Sequence, residues 1–365
     1  MRPDLAELPA ELTCPAGLRA LAGHLRGAGF DADRAAGLLG APSPEHLLGD
    51  PARYAFFAGP VPPGPVAVLT WLFILNARVP ADLVRGGLDR ELIELLRDLG
   101  LLATAGDGYR GTVSITPYRS RFFVSDQLFT CTGPQQVRAN TGPGLVMPPH
   151  ASSLLALATV DRIDDTLLDV GCGGGFLAVN AAARCGTVAG IDPNPRCARL
   201  AGWNGVLNGV EAGFAVADIA SFTVPGDDRF GALIFNTPTL PRIRSTEDSE
   251  WGQSTADRLV RQTLDAAPRI LRPGGTAYVQ ALVEVPRRYS SAAAAVRDWA
   301  GGHDVTVTPI DAPQLSVTRE QLRRRRLPGH SLLAYGARSG ELLDALAARD
   351  VVAVEPVTIA ARVRP

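Results

Sequence analysis

Apolar residues recur at helical spacing through the first hundred positions. Leu18, Leu21, Leu25 and Phe30 fall about one helical turn apart. Asp31 is placed to cap a short helix running to Leu39. Pro60 to Pro65 forms a proline-rich connector. Val66 to Leu75 is apolar on nearly all sides, which predicts a buried helix. The residues from Leu88 to Leu99 return to amphipathic spacing and stop at Gly100. Leu101 to Thr104, a turn at Gly106-Asp107-Gly108, and Tyr109 to Ile115 read as a β-hairpin. From Arg119 to Pro149 the periodicity fades; Phe122-Phe123-Val124 is its one strand-like run. A helix over Ser152 to Thr159 follows. From Thr166 the pattern alternates strand and helix, which predicts a parallel sheet covered on both faces. Strands are expected near 166–171, 187–192, 213–218, 230–236, 275–283, 304–310 and 331–338. The division that results is a mainly helical segment over 1–118, a connector over 119–150, an α/β domain over 151–340, and a helix and strand-like extension over 341–365.

Composition narrows the class without changing that layout. With 365 residues, 46% of them hydrophobic, the chain can bury the cores of about two domains. The formal net charge of -1 leaves no overall field to attract nucleic acid. All the basic residues are arginine. The five cysteines have no metal-ligand spacing, so reduced thiols in a cytoplasmic protein are expected. The first residues lack the basic start and apolar core of an export signal, and Leu69 to Leu75 is too short to span a bilayer. The helices and hairpin of the N-terminal segment resemble a winged helix, a module that binds DNA, dimerises or covers a substrate. The helix that would enter a groove carries Asp89, Glu91, Glu94 and Asp98 against Arg90 and Arg97. Phosphate contacts need the opposite balance. The run Arg323 to Arg326 is the one dense basic stretch. It reads as a phosphate grip or as a solvated face, and no aromatic residue interleaves it.

The chemistry is concentrated at Leu167-Leu168-Asp169-Val170-Gly171-Cys172-Gly173-Gly174-Gly175. This is a strand, a glycine turn and a helix start, with spacing Asp-x-Gly-x-Gly-x-Gly. Glycines there let backbone approach a ligand, and the new helix offers unpaired N–H groups. The stretch resembles motif I of the class I S-adenosylmethionine (SAM) methyltransferases. The next strand ends at Asp192, where a ribose-reading acid belongs, and Pro193-Asn194-Pro195 opens a helix toward Asn204 and Asn208. The resemblance implies a Rossmann-like, seven-stranded α/β sheet whose last strand is antiparallel. It implies SAM as cofactor and S-adenosylhomocysteine as product. The cofactor-facing residues are then Asp169, Gly171, Gly173, Gly175, Asp192, Asn194, Asp218 and Asn236. In the family an acid at Asp218 accepts from the adenine amino group; a plain helix cap is the alternative. Cys172 in the turn reads as a small filler.

The fourth strand ends Phe235-Asn236-Thr237-Pro238-Thr239. It resembles motif IV of the amino methyltransferases, Asn-Pro-Pro-Tyr/Phe, whose members act on release-factor glutamine, ribosomal RNA guanine N2 or adenine N6. There the asparagine oxygen and the next backbone carbonyl accept from an NH₂ group, and the aromatic ring stacks on a planar substrate. Here Thr237 replaces the first proline and Thr239 the aromatic residue, so a flat acceptor is disfavoured. The catalytic set is Asn236, Thr237, Pro238 and Thr239. His150, before motif I, faces the active site or starts a helix in solvent. The acidic segment Arg242 to Gln253, with Glu250 and Trp251, covers the acceptor or is an ordinary loop. No side-chain cluster has the makings of a metal site. The function these residues indicate is N-methylation of a small-molecule or peptide-like acceptor, as in secondary-metabolite biosynthesis. The homodimer that winged helices mediate is a further expectation. The alternatives are an RNA or protein-glutamine methyltransferase and a regulator that binds SAM without turnover.

Overall fold

A computed structural model of the chain describes residues 15–140, 144–163, 165–224, 229–237, 256–313, 315–327 and 339–364. The N-terminal part begins with four helices, α1 (Pro15–Gly27), α2 (Ala32–Leu38), α3 (Pro44–Gly49) and α4 (Pro51–Phe57). Asp31 caps α2 by accepting the Arg34 N–H. Next come α5 (Pro65–Phe73), β1 (Val79–Pro80), α6 (Ala81–Gly87), α7 (Arg90–Asp98), β2 (Leu102–Ala105) and β3 (Gly108–Gly111). The three strands pair antiparallel in the order β1-β3-β2, so element order and sheet together make a winged-helix arrangement. Every residue of α5 from Ala67 to Phe73 is buried, as a helix apolar on all sides must be.

The hairpin ends sooner than its apolar run. Ser114 onward belongs instead to a second hairpin, β4 (Ser114–Tyr118) with β5 (Arg121–Ser125), and a third follows, β6 (Phe129–Gly133) with β7 (Gln136–Ala139). The expected connector over 119–150 therefore holds three strands, and the boundary at 118 falls at the tight turn of the second hairpin.

The α/β part runs α8 (Ala151–Val160), β8 (Leu167–Val170), α9 (Phe176–Ala181), β9 (Val188–Asp192), α10 (Pro195–Leu207), β10 (Gly213–Val216), β11 (Phe230–Asn236), α11 (Ala256–Ile270), β12 (Leu271–Pro286), α12 (Ala292–Trp299), β13 (Val305–Pro309), α13 (Arg319–Arg323), α14 (Ser339–Ala348) and β14 (Val351–Arg362). Seven strands form one sheet in the order β10-β9-β8-β11-β12-β14-β13. All neighbours up to β12 are parallel, and β14 runs antiparallel between β12 and β13. One correction follows. The seventh strand was expected at 331–338, a span that lies outside the described residues; the sheet takes its seventh strand from the C-terminal tail. Its apolar residues Val351, Ala353, Val357, Ile359 and Ala361 are buried, which is why that tail belongs in the sheet and not beside it. Among the described residues, no helix is long and apolar enough to cross a membrane.

The two parts share a core. Leu200 and Leu207 of α10 are buried in the same cluster as Leu18, Leu21 and Leu25 of α1. Polar contacts fix the register. Asn204, fully buried, accepts the Val124 N–H at 2.8 Å and donates to the Val124 carbonyl at 2.9 Å and the Gly174 carbonyl at 2.8 Å. One turn later Asn208 accepts the Phe122 N–H at 2.9 Å and donates to the Phe122 carbonyl at 2.7 Å. Two side-chain amides thus take the place of a neighbouring strand for β5. Asp126 adds an ion pair with Arg196 and accepts the Val146 N–H at 2.7 Å.

Replacing Asn204 tests this clamp. Asn204→Ala strands three backbone groups, each worth about 1–3 kcal/mol when left unpaired in the interior. The expected loss is about 3 kcal/mol or more in urea unfolding, larger than for Asn208→Ala, whose partners are nearer to water. Equal, small losses in both variants would show that the amides do not hold β5.

Candidate active site

The site forms where the sheet reverses its order. β8 and β11 lie side by side and parallel, with Phe235 opposite Val170. The chain leaves β8 for one half of the sheet and β11 for the other. Such a reversal point, at the carboxyl ends of the strands, is where open α/β sheets take ligands.

The glycine loop forms one wall. Gly171, Gly173 and Gly175 have φ of 61°, 52° and 77°, a left-handed conformation that side chains resist. A Cβ at Gly171 would come within 2.9 Å of the Phe235 ring, and one at Gly175 within 3.0 Å of Ala201. A Cβ at Gly173 would meet nothing within 4 Å. Packing therefore demands glycine at the first and third positions, while the second opens onto free space. Cys172 is buried and its thiol is pushed up, mainly by that burial, as befits a filler.

Two carboxyls stand behind the loop. Asp169 is 1% exposed and accepts the Ala178 N–H at 3.1 Å, an otherwise unpaired donor in the first turn of α9. Burial, with the Asp192 charge adding to it, pushes its pKa up to about 7. Asp192 accepts the Gly173 N–H at 3.0 Å and the Asn194 N–H at 2.9 Å. Burial raises its pKa, opposed by those two bonds and the neighbouring Cys197 thiol. Asn194 caps α10 by accepting the Arg196 N–H at 3.0 Å and donates to the Gly144 carbonyl at 3.3 Å. Asp218 is exposed and accepts the Ala220 N–H at 2.7 Å in a turn; its geometry is that of the cap.

The opposite wall is made by β11, β12 and the start of α8. Asn236 donates from Nδ2 to Ser152 Oγ at 3.3 Å, and its Oδ1 is buried with no partner among the described residues. Thr237 is buried, and its N–H and hydroxyl both donate to the Gln280 carbonyl, at 2.9 and 3.0 Å. His150 is the N-cap residue of α8, but it is half-buried and does not stand in solvent. Its ring is turned to the site, with Nε2 3.1 Å from Ser152 Oγ and Nδ1 3.2 Å from Ser153 Oγ. Burial lowers its pKa, opposed by a hydrogen bond with the Pro148 backbone, so the neutral imidazole is favoured. With Nε2 as the unprotonated nitrogen, the Ser152 hydroxyl donates to it and Ser152 Oγ accepts from Asn236. Pro238, Thr239, Glu250 and Trp251 lie outside the described residues.

Sequence reasoning passed over Ser152, Gln280, Asp126 and Arg196. A signal existed for Gln280, a polar residue inside the apolar run Tyr278-Val279-Gln280-Ala281-Leu282. None marked Ser152, one of two serines at an ordinary helix start.

Sheet order, glycine loop and an acid closing the second strand are those of the Rossmann-like fold of class I methyltransferases. Residues 149–290 match the family model described as "Methyltransferase small domain". No curated protein matches the chain. Among solved structures, YcgJ from Bacillus subtilis is 16% identical over 59% of this chain and 98% of its own, with a TM-score of 0.38. The N-methyltransferase NodS from Bradyrhizobium japonicum WM9, in complex with S-adenosylhomocysteine, is 11% identical over 59% and 88%, with a TM-score of 0.33. The tRNA m1G37 methyltransferase of M. jannaschii is 13% identical over 69% and 57%, with a TM-score of 0.39. Nothing about the acceptor follows from these likenesses. The enzyme's cofactor is SAM, and the open space at Gly173 beside the Asp192 carboxylate fits a nucleoside with an amino-acid tail.

Two measurements follow. Asp192→Ala should weaken SAM binding by about 1.5–3 kcal/mol, the range for hydrogen bonds to a charged group; unchanged affinity in a folded variant would remove Asp192 from the site. The second concerns pH. With its pKa raised from an unfolded value near 3.8 to about 7, Asp169 holds a proton in the folded state that the unfolded state has lost. Its contribution is full below about pH 4 and disappears as pH rises through 7. Asp169→Asn cannot titrate. Relative to the parent, it should therefore gain on the order of 1–4 kcal/mol between pH 4 and pH 8 in ligand-free unfolding. A pH-independent difference would contradict a buried, neutral Asp169.

Proposed function

We propose that the enzyme methylates a nitrogen of a small-molecule or peptide-like acceptor, and that Asn236 with the Thr237 backbone carbonyl orients it. The supporting observation is the buried, unpartnered Oδ1 of Asn236. Leaving such an acceptor unpaired costs about 1–3 kcal/mol, and an N–H donor arriving in the crevice removes that cost. Bound SAM supplies an electrophilic methyl carbon on a sulfonium. What the chain must add is placement. Orientation of a nucleophile in line with its target contributes roughly 7–11 kcal/mol in favourable cases. An N–H pinned to Asn236 Oδ1 directs the nitrogen lone pair elsewhere, toward the cofactor side of the crevice.

The resemblance to the Asn-Pro-Pro-Tyr enzymes supports the nitrogen, and the departures from that motif support a non-planar acceptor. Thr239 offers no ring on which a base would stack. Nucleic acid is the weaker fit. The acids Asp89, Glu91, Glu94 and Asp98 around α7 are all exposed, and Arg90 is paired with Glu94 at 2.7 Å.

Asn236→Ala tests the proposal. The interaction belongs to acceptor and transition state, so turnover should fall while SAM affinity stays near the parent value. By analogy with an oxyanion-hole donor, the barrier should rise by ~2.7–4 kcal/mol. Methyl transfer from labelled SAM into a producing-cell extract supplies the assay. Full activity in the variant would point to an oxygen or carbon acceptor with its base elsewhere.

A further inference from the structure

Gln280 stands beside Asn236 as its register partner on the adjacent parallel strand. It is 3% exposed, and its Nε2 donates to the Ser152 carbonyl at 2.9 Å. A backbone carbonyl can only accept, so that bond fixes which end of the amide points which way. The other end, Oε1, is buried and has no partner among the described residues. Asn236 has its nitrogen on the Ser152 hydroxyl and its oxygen without a partner among the described residues, an orientation that follows from the hydroxyl donating to His150 Nε2. One serine, itself 1% exposed, therefore engages the nitrogens of two adjacent amides and leaves both oxygens unpaired. Two buried acceptors left open side by side are a large unmet demand in a folded protein.

We propose that Gln280 is a second acceptor-reading residue, and that Asn236 and Gln280 together receive the two hydrogens of one primary nitrogen. The ligand class is an unmethylated –NH₂ group, as in a primary amine or carboxamide. This rests on the nitrogen-acceptor function proposed above and sharpens it: Gln280 Oε1 takes the second hydrogen, the place given there to the Thr237 carbonyl. Two N–H bonds directed at two oxygens leave the lone pair of an amine in a defined third direction. A nitrogen that already carries a methyl has at most one hydrogen to give in its neutral form and leaves one oxygen unpaired. The site thereby discriminates against its own product, which favours a single methylation.

The test does not require the natural acceptor. Sinefungin carries an amino group where SAM carries its methyl, and S-adenosylhomocysteine carries nothing there. The ratio of their dissociation constants on the full chain reports acceptors that face the transferred group. Gln280→Met should lower the preference for sinefungin about tenfold, the worth of one hydrogen bond to a charged donor, with S-adenosylhomocysteine affinity unchanged. Gln280→Glu should raise the preference, because it adds a charge opposite an ammonium. Opposite effects of these two variants are not produced by a residue that merely braces Ser152. If neither variant moves the ratio while Asn236→Ala lowers it, Gln280 is only a brace and this inference falls, with the nitrogen-acceptor function intact. If none of the three moves it, both fall. Should Gln280→Met not fold, the parent chain labelled with glutamine side-chain ¹⁵N decides. Exchange of S-adenosylhomocysteine for sinefungin should shift a buried glutamine amide resonance, and no shift overturns the inference.

Discussion

Asn204 holds the molecule's two halves in one register. Its amide meets three backbone groups that have no other way to be paired: both polar atoms of Val124 and the carbonyl of Gly174. The first two belong to a strand of the N-terminal half and the third to the glycine loop. A single side chain therefore sets the position of that loop against β5, and the left-handed turn its glycines allow is anchored by a contact outside it. Asn208 repeats the device one turn on, so the helix grips β5 at two successive odd-even steps along the strand. The N-terminal part is, in this sense, a support for the cofactor loop. Asp126 extends the same support to residues 144–146 through its bonds to Val146 and Arg196.

Electrostatics follow from that rigidity. Asp169 and Asp192 are taken out of water behind a loop that cannot relax toward them, and each has its pKa raised by burial. A free enzyme with such a pair tends to hold a proton there at neutral pH. A cationic ligand in the crevice would favour the ionised forms, and SAM is a sulfonium. Binding and deprotonation are then linked, and cofactor affinity rises with pH through the range in which the free protein loses that proton.

The sheet was legible in the sequence because its central strands β8, β9 and β11 are parallel and buried, and so read as short apolar runs between helices. The glycine loop and Asp192 were legible because their chemistry is local, within one strand-turn-helix unit. Three things were not. β14 looked like a tail, since an antiparallel strand inserted last has no helix after it to mark the pattern. The hairpin of β4 and β5 was hidden because its partner is a pair of asparagine side chains, which leave no periodicity. Ser152 and Gln280 lie 128 positions apart, and only the pairing of β11 with β12 brings Gln280 to Asn236.

That pairing also gives a physical sense to the altered motif. Where the amino methyltransferases have proline after the asparagine, this chain has Thr237. Proline offers no N–H and no hydroxyl. Thr237 has both, and both go to the Gln280 carbonyl. The strand ends are thus tied at the residue after Asn236, one step beyond the last rung of the ladder. Asn236 loses freedom on one side through Thr237 and on the other through Ser152. Thr237 therefore gives a hydrogen-bonded backbone where proline would give a stiff one, and it fixes the backbone of Gln280 as well as that of Asn236. A motif that looks degraded in the sequence is, in three dimensions, the fastening that holds two amides side by side.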